Sequence, residues 1–221
     1  ATAQPANGTL ALDNVRIIEA EHNRASTPRC VRVEGKHIAR ISAAGDKACL
    51  RGARTVNLHQ RYLLPGLIDM HAHLTLGPLE SKRERGRMVM QALPDDDIAE
   101  HNARRLVAFG VTTVRNPGGD LPAATRYKAR LAAGELTGPE AFNAGPVINN
   151  VDLPGLSTAA RNAEAMQRVV QAQAEAGADW IKLYTGLSPE LLKDGIDAAH
   201  AHGLPAVAHL ESIAWPDALA M

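Results

Sequence analysis

A repeated alternation of short apolar segments with longer helical patterns constrains the fold of this chain more than any other feature. Five segments with strand character follow residue 62, and helical stretches or long loops connect them. Strands that alternate with helices pair in parallel through right-handed crossovers, so the pattern predicts an α/β fold. The five predicted strands cover residues 63–70, 111–115, 140–144, 180–184 and 205–210.

The connections between these strands are of two kinds. Apolar residues at helical spacing predict helices over residues 98–109, 121–133, 158–176 and 188–202, each followed by a glycine. Ser188 and Pro189 have the residue types preferred at the N-cap and first position of a helix. Residues 75–94 and 145–157 lack such spacing and are predicted to be long loops.

The first 62 residues have a different character and predict a separate domain. Short alternating segments and a hairpin-like turn at Gly35 indicate a small β-sandwich over residues 1–62, followed by a second domain over residues 63–221. Cys30 and Cys49 both lie in the first domain; they could pair in an exported protein and would stay reduced in a cytosolic one. The start at Ala1 fits either a cleaved signal peptide or a trimmed chain, and we slightly favour export.

Composition narrows the possible partners. The chain of 221 residues has 24 Lys and Arg against 24 Asp and Glu, which gives no support for nucleic-acid or anionic-membrane binding. No stretch is long and apolar enough to span a bilayer. We therefore expect no nucleic-acid or membrane partner. A small-molecule substrate and a homo-oligomer are also expected, on grounds other than composition.

Polar residues stand at the carboxyl ends of the predicted strands. His71 and His73 share one face if their segment is extended, and two neutral imidazoles suit zinc. In a barrel of alternating strands and helices this end carries catalysis. An open doubly wound sheet is the rival, although no Gly-x-Gly-x-x-Gly follows any strand. The residues at these ends are His71, His73, Asn116, Lys182, Tyr184 and His209.

Four segments together resemble the amidohydrolase superfamily, whose metal-dependent hydrolases are built on a (β/α)8 TIM-type barrel with a flanking β-sandwich. They are most similar to the branch of imidazolonepropionase-like and Xaa-Pro dipeptidase (prolidase)-like enzymes. About five of the eight βα units are present. The matching segments are residues 64–73 (Leu-Pro-Gly-Leu-Ile-Asp-Met-His-Ala-His), 110–115, 177–182 and 205–209.

The resemblance implies a metal site with specific ligands. His71 and His73 would bind one of two divalent ions, expected to be zinc, and His209 the second. Lys182 would be carbamylated by carbon dioxide and would bridge the two ions, because a free ammonium has no lone pair with which to ligate a cation. From the residues alone, Lys182 could equally be a snorkelling or ion-paired lysine, and His209 a core histidine.

The implied reaction is hydrolysis of an amide C–N bond by a metal-activated hydroxide. The substrate would be peptide-like, an N-acyl amino acid or a cyclic amide, and Tyr184 and Asn116 could contact it. A deaminase or an esterase or lactonase of the same superfamily is an alternative, and a non-catalytic barrel-like scaffold is another. The family's general-base aspartate would lie beyond Met221, so we expect the missing part of the barrel as a further chain or segment.

Overall fold

The computed structural model of the protein describes residues 8–211 and 213–221. The chain divides into two compact units, and the division falls between Pro65 and Gly66. The sequence predicted a boundary after residue 62. The second unit contains parallel strands connected by helices, so the α/β class is confirmed.

The first unit is a curled sheet organised around one long strand. This strand, β1, pairs with β2 and β3 in the antiparallel sense and with β5 and β6 in the parallel sense. A register shift between Leu12 and Val15 bends it, and Asn14 there has a φ of 54°. The strands form one connected sheet, so the predicted β-sandwich is not confirmed. The six strands are β1 (Thr9–Glu19), β2 (Arg24–Ala25), β3 (Arg29–Glu34), β4 (His37–Ala43), β5 (Arg54–Asn57) and β6 (Tyr62–Leu63).

A disulfide between Cys30 and Cys49 closes the core of the first unit. Both cysteines are fully buried against Ala11. Cys49 lies on the short helix α1 (Lys47–Leu50), which begins after Asp46 because that side chain accepts a hydrogen bond from the N–H of Ala48. Of the two states that the sequence left open for the cysteines, the structure has the paired one.

The second unit contains two parallel sheets and one hairpin. The first sheet has the strand order β11-β10-β7, and the second has the order β13-β12-β14-β15. Strands β8 and β9 form an antiparallel pair of their own. The strands are β7 (Leu67–Asp69), β8 (Leu79–Glu84), β9 (Arg87–Ala92), β10 (Val111–Asn116), β11 (Glu140–Asn143), β12 (Val147–Asn149), β13 (Ser157–Ala159), β14 (Ile181–Leu183) and β15 (Ala206–Ala208).

Side-chain caps fix where the four long helices of this unit begin. The oxygens of Asp95, Asp120, Asn162 and Ser188 each accept hydrogen bonds from backbone N–H groups of the first helical turn. No helix in the described part of the chain is long and apolar enough to cross a membrane. The helices are α2 (Asp96–Ala108), α3 (Leu121–Ala132), α4 (Ala163–Glu175), α5 (Pro189–Ala201) and the short α6 (Trp215–Leu219).

The two faces of the parallel strands have different surroundings. Alternate residues such as Val114, Ile181 and Leu183 are fully buried and belong to the cores formed with the helices. The opposite face is open in the first sheet, where Ile68 is 62% and Phe142 is 45% exposed. The closed eight-stranded barrel stays a prediction, because the described strands form two separate sheets.

Both predicted long loops contain strands. Residues 75–94 include the hairpin β8–β9, whose first strand is exposed at every position and therefore shows no alternation of apolar and polar residues. Its turn at Arg85 and Gly86 has two positive φ angles, which suits a tight hairpin. Residues 145–157 include β12 and the start of β13. The following helix thus begins at Ala163, not at residue 158.

Candidate metal centre

His71 and His73 lie in a bend beyond the end of β7, not on the strand itself. The side chain of Asp69 accepts a hydrogen bond from the N–H of His71 at 2.9 Å, which turns the chain out of the sheet. The N–H of Ala72 donates to the carbonyl of Arg115 at 3.1 Å and holds the bend against β10. The two imidazole centroids are 5.4 Å apart. The histidines therefore do lie side by side, but the bend brings them together and strand alternation does not.

A glycine turn after β10 orients the ring of His73. Its Nδ1 lies 3.3 Å from the carbonyl oxygen of Gly118. When Nδ1 carries the proton and donates to this carbonyl, the lone pair of Nε2 is left free for a cation. A Cβ on Gly118 would lie 2.8 Å from Val147 and 3.8 Å from Cε1 of His73, so glycine permits the close approach.

Lys182 is a buried cation without a counter-charge. It is 3% exposed, and its neighbours on β14, Ile181 and Leu183, are fully buried on the opposite, helix-covered face. Within residues 8–211 and 213–221, its amine forms no hydrogen bond and no ion pair. Burial, together with the nearby guanidinium of Arg115, lowers the pKa of Lys182. A neutral amine is therefore favoured here more than at the protein surface.

Tyr184 connects Lys182 with His209. The amine of Lys182 is 5.9 Å from the centroid of the Tyr184 ring. The ring of His209 meets the same tyrosine at a centroid distance of 5.0 Å, and the N–H of His209 donates to the carbonyl of Leu183 at 3.0 Å. The parallel pairing of β14 and β15 therefore places these three side chains at one end of the sheet.

The charges near Lys182 also act on His71 in the histidine bend. Burial lowers the pKa of His71, and the positive charges of Lys182, His73 and Arg115 lower it further. The neutral imidazole is the form that ligates a metal, so this environment favours the ligating state. The chemistry of the donors fits a divalent cation: two imidazoles near a buried amine that carbon dioxide could convert into an oxygen ligand.

The His, Cys, Asp and Glu side chains of the described residues do not form a metal site by themselves. Within the described part of the chain, no three His, Cys, Asp or Glu side chains lie close enough to hold a metal ion. The general-base aspartate that the resemblance implies stays a prediction. A complete site built on the predicted ligands thus depends on Lys182, and the roles of His71, His73, Lys182 and His209 as ligands stay predictions.

The side chain of Asn116 forms buried hydrogen bonds within the protein. It is fully buried, and its amide donates to the hydroxyl of Thr75 and to the side-chain oxygen of Asn143, both at 2.9 Å. These bonds tie the loop after the histidine bend to β11, and the role of Asn116 as a substrate or oxyanion contact stays a prediction. The sequence could not reveal these bonds, because both partners lie on distant segments of the chain.

Arg115 is a site residue that the sequence reasoning missed. Its guanidinium stacks over the ring of Trp180 at 5.0 Å, and its Nε donates to the carbonyl of Met70 at 2.9 Å. It alternates along β10 with the buried Val114 and Asn116, so it lies on the same face as Thr113, away from the helices. An arginine one residue before a strand end, on the face opposite the apolar residues, was the signal available in the sequence.

The chain was compared with protein families and with solved structures, and the results agree with each other. Residues 62–215 match the model of the amidohydrolase family. The sequence matches no curated protein. The computed structure is similar over 91% of its length to a prolidase complexed with N-methylphosphonate-L-proline (TM-score 0.75, 17% identity) and to a Xaa-Pro dipeptidase with bound methionine in its active site (TM-score 0.72, 20% identity).

An ochratoxinase from A. niger has the same fold over 93% of this chain, with a TM-score of 0.69 and 16% identity. These similarities show a shared fold. In each case the chain spans little more than half of the known structure: 56% of the prolidase, of the dipeptidase and of the ochratoxinase.

Proposed function

Because this chain belongs to the amidohydrolase family, we propose that it carries the metal-binding part of an enzyme that hydrolyses amide C–N bonds. The substrates we propose are peptide-like compounds, N-acyl amino acids or cyclic amides. The prolidase and Xaa-Pro dipeptidase among the similar structures support this choice of reaction.

The buried Lys182 is the observation on which the proposal rests. An unpaired ammonium in a buried position is destabilising, so a protein retains one where it is neutralised, modified or used. Carbamylation of the neutral amine by carbon dioxide would replace the cation with an anion that offers two oxygen ligands. The nearby Arg115 would then face a negative charge in place of a positive one.

Each side chain of the group has a proposed task. His71 and His73 would hold one divalent ion, His209 a second, and carbamylated Lys182 would join the two sites. Bound divalent ions, proposed to be zinc, supply Lewis acidity toward a carbonyl and lower the pKa of a coordinated water. The carbonyl of Gly118, 3.3 Å from Nδ1 of His73, would hold this ring in an orientation that leaves Nε2 to the metal. Tyr184, which is 36% exposed, can contact a substrate that approaches this group.

We propose that the two parallel sheets belong to a (β/α)8 barrel whose remaining strands and catalytic aspartate come from further polypeptide. Three side chains on the face away from the helices are exposed: Ile68 by 62%, Met70 by 53% and Phe142 by 45%. Additional βα units would cover this apolar face, which would otherwise contact water. The span of about half of the similar structures supports the same proposal.

Metal binding by paired variants tests the function. The intact enzyme is loaded with zinc, dialysed and assayed for metal content and for hydrolysis of N-acyl amino acids and prolyl dipeptides. The variant His71→Ala/His73→Ala is expected to lose metal and activity together. The matched control, His200→Ala/His202→Ala, removes a second His-x-His pair at the exposed end of α5 and should retain both. Equal metal content in all three proteins would refute the proposal.

A further inference from the structure

An apolar cavity lies beside the candidate metal centre, between the hairpin β8–β9 and the loop that follows β12. Its volume is about 270 Å³, and His73 and Tyr184 form the side toward the metal centre. The remaining wall is mainly aliphatic: Leu76, Leu79, Met90, Val147, Leu153 and Leu156. No side chain with a full charge lines it.

Two polar side chains of this wall, Asn149 and Ser157, are already engaged within the protein. The side-chain oxygen of Asn149 accepts a hydrogen bond from the N–H of Val151 at 2.9 Å, and the hydroxyl of Ser157 donates to the carbonyl of Val151 at 2.7 Å. Away from His73 and Tyr184, a ligand group in the cavity therefore meets mainly hydrocarbon. Burying a charged or strongly polar group there would leave it without partners.

The pairing of the hairpin determines which of its side chains reach the cavity. Ser81 lies opposite Met90, and Leu79 lies opposite Ala92, so Leu79 and Met90 share one face of the ribbon. Met88 is on the same face, opposite Arg83, but one step closer to the tip and outside the cavity wall. The base of the hairpin thus supplies the wall, and its basic tip does not.

The hairpin base and the opposite loop are joined through their backbones. The N–H of Ala92 donates to the carbonyl of Pro154 at 3.0 Å. A Cβ on Gly155 would lie 1.9 Å from the carbonyl oxygen of Ala92, and one on Gly77 would lie 1.3 Å from that of Leu93. Gly155 therefore permits the contact between the loop and the hairpin base, and Gly77 permits the close approach of the two ends of the hairpin. The two walls are held together without the help of a ligand.

We propose that this cavity is the specificity pocket of the enzyme and receives one uncharged, apolar side chain flanking the scissile C–N bond. The inference rests on the proposed function, which it deepens by naming the substrate class. The volume falls just below the range of about 300–1,000 Å³ that is usual for whole ligands. The cavity accordingly takes one substituent of the substrate, and the rest of the substrate lies outside it.

A matched set of ligands tests the proposal on the intact enzyme. N-hexanoylglycine and N-acetylleucine carry an apolar group on either side of the amide, and N-succinylglycine and N-acetylglutamate are their charged counterparts. Binding is measured by ligand-observed NMR titration, and hydrolysis is measured separately. We expect at least one apolar compound to bind ten times more tightly than its charged counterpart, since each buried methylene contributes about 0.8 kcal/mol.

Two substitutions at the hairpin decide whether this cavity is responsible. Met90→Glu introduces a charge into the wall and should abolish the tenfold preference; Leu79→Glu repeats the test from the neighbouring strand. Met88→Glu, on the same face but outside the wall, should leave the preference unchanged within twofold. All three side chains are about half exposed or more, so folding should survive, which circular dichroism checks.

The outcomes separate the two proposals. Apolar preference that is lost in Met90→Glu and kept in Met88→Glu supports the pocket, even if no compound is hydrolysed; in that case only the proposed function fails. Equal binding of apolar and charged ligands would overturn the pocket, as would equal effects of the Met88 and Met90 substitutions. Hydrolysis without apolar preference would overturn the pocket and leave the proposed function standing.

Discussion

Replacing Lys182 by methionine should stabilise the metal-free protein while removing its function. The side chain is 3% exposed, and its amine forms no ion pair within the described residues. Methionine fills a similar volume without a charge. Replacing a buried ion pair by apolar residues is neutral or stabilising by about 1–4 kcal/mol, and an unpaired buried charge lacks even the attraction of a partner. We expect a gain of about 2 kcal/mol for Lys182→Met, which corresponds to a roughly 30-fold smaller unfolding equilibrium constant.

The dependence on pH gives this prediction a second, independent part. The pKa of Lys182 lies below its usual value of 10.5 in the folded protein, so the unfolded chain binds the proton more tightly. The stability of the unsubstituted protein therefore rises with pH between that lowered pKa and about 10.5. The advantage of Lys182→Met should be complete below this window and should shrink as the pH rises through it.

Urea unfolding followed by tryptophan fluorescence measures both parts, in a buffer with chelator and without carbon dioxide, with Trp215→Phe in all proteins so that only Trp180 emits. Trp180 is 3% exposed and precedes β14 directly, so it reports on the surroundings of Lys182. Lys193→Met, at an exposed position of α5, is the control and should change stability by less than about 0.5 kcal/mol. A metal-free Lys182→Met protein less stable than its parent at pH 7, or a difference constant with pH, would refute the reasoning.

Three further changes have defined outcomes. Asn116→Ala should lower the free energy of unfolding by about 2–3 kcal/mol, because two buried hydrogen bonds are lost and their partners stay buried; urea titration measures this, and an unchanged midpoint would contradict it. Removing the disulfide with Cys30→Ala/Cys49→Ala should cost about 3 kcal/mol, given the separation of 19 residues, and a melting temperature equal to that of the parent would argue against it. Gly155→Ala should break the contact with Ala92, so the exchange of the Ala92 amide with deuterium should accelerate; unchanged protection would show that the loop adapts.

The parts of the fold that the sequence predicted are those with strong local signals. Ser188 caps α5 as predicted, and β10 and β14 lie where strands were predicted over residues 111–115 and 180–184. The predicted strand over residues 63–70 is instead split into β6 and β7. Pro65 lies between them, and it has no N–H to contribute to a ladder.

The parts that the sequence did not predict depend on contacts between distant segments. The hairpin β8–β9 has polar residues on both faces, so its pairing leaves no periodic pattern. The contacts of Asn116 with Thr75 and Asn143 and of Arg115 with Trp180 join residues that are far apart in the sequence. The apolar cavity combines residues from a hairpin and a separate loop, and neither segment alone predicts it.

The central claim is that His71, His73, Lys182 and His209 hold divalent ions through a carbamylated lysine. The most direct test is ¹³C NMR of the intact enzyme equilibrated with zinc and ¹³C-bicarbonate, combined with metal analysis of the same sample. The account predicts a carbamate resonance that disappears in Lys182→Met, together with about two zinc ions per chain in the parent protein. A zinc-loaded parent protein without that resonance, or with the same spectrum as Lys182→Met, would contradict it.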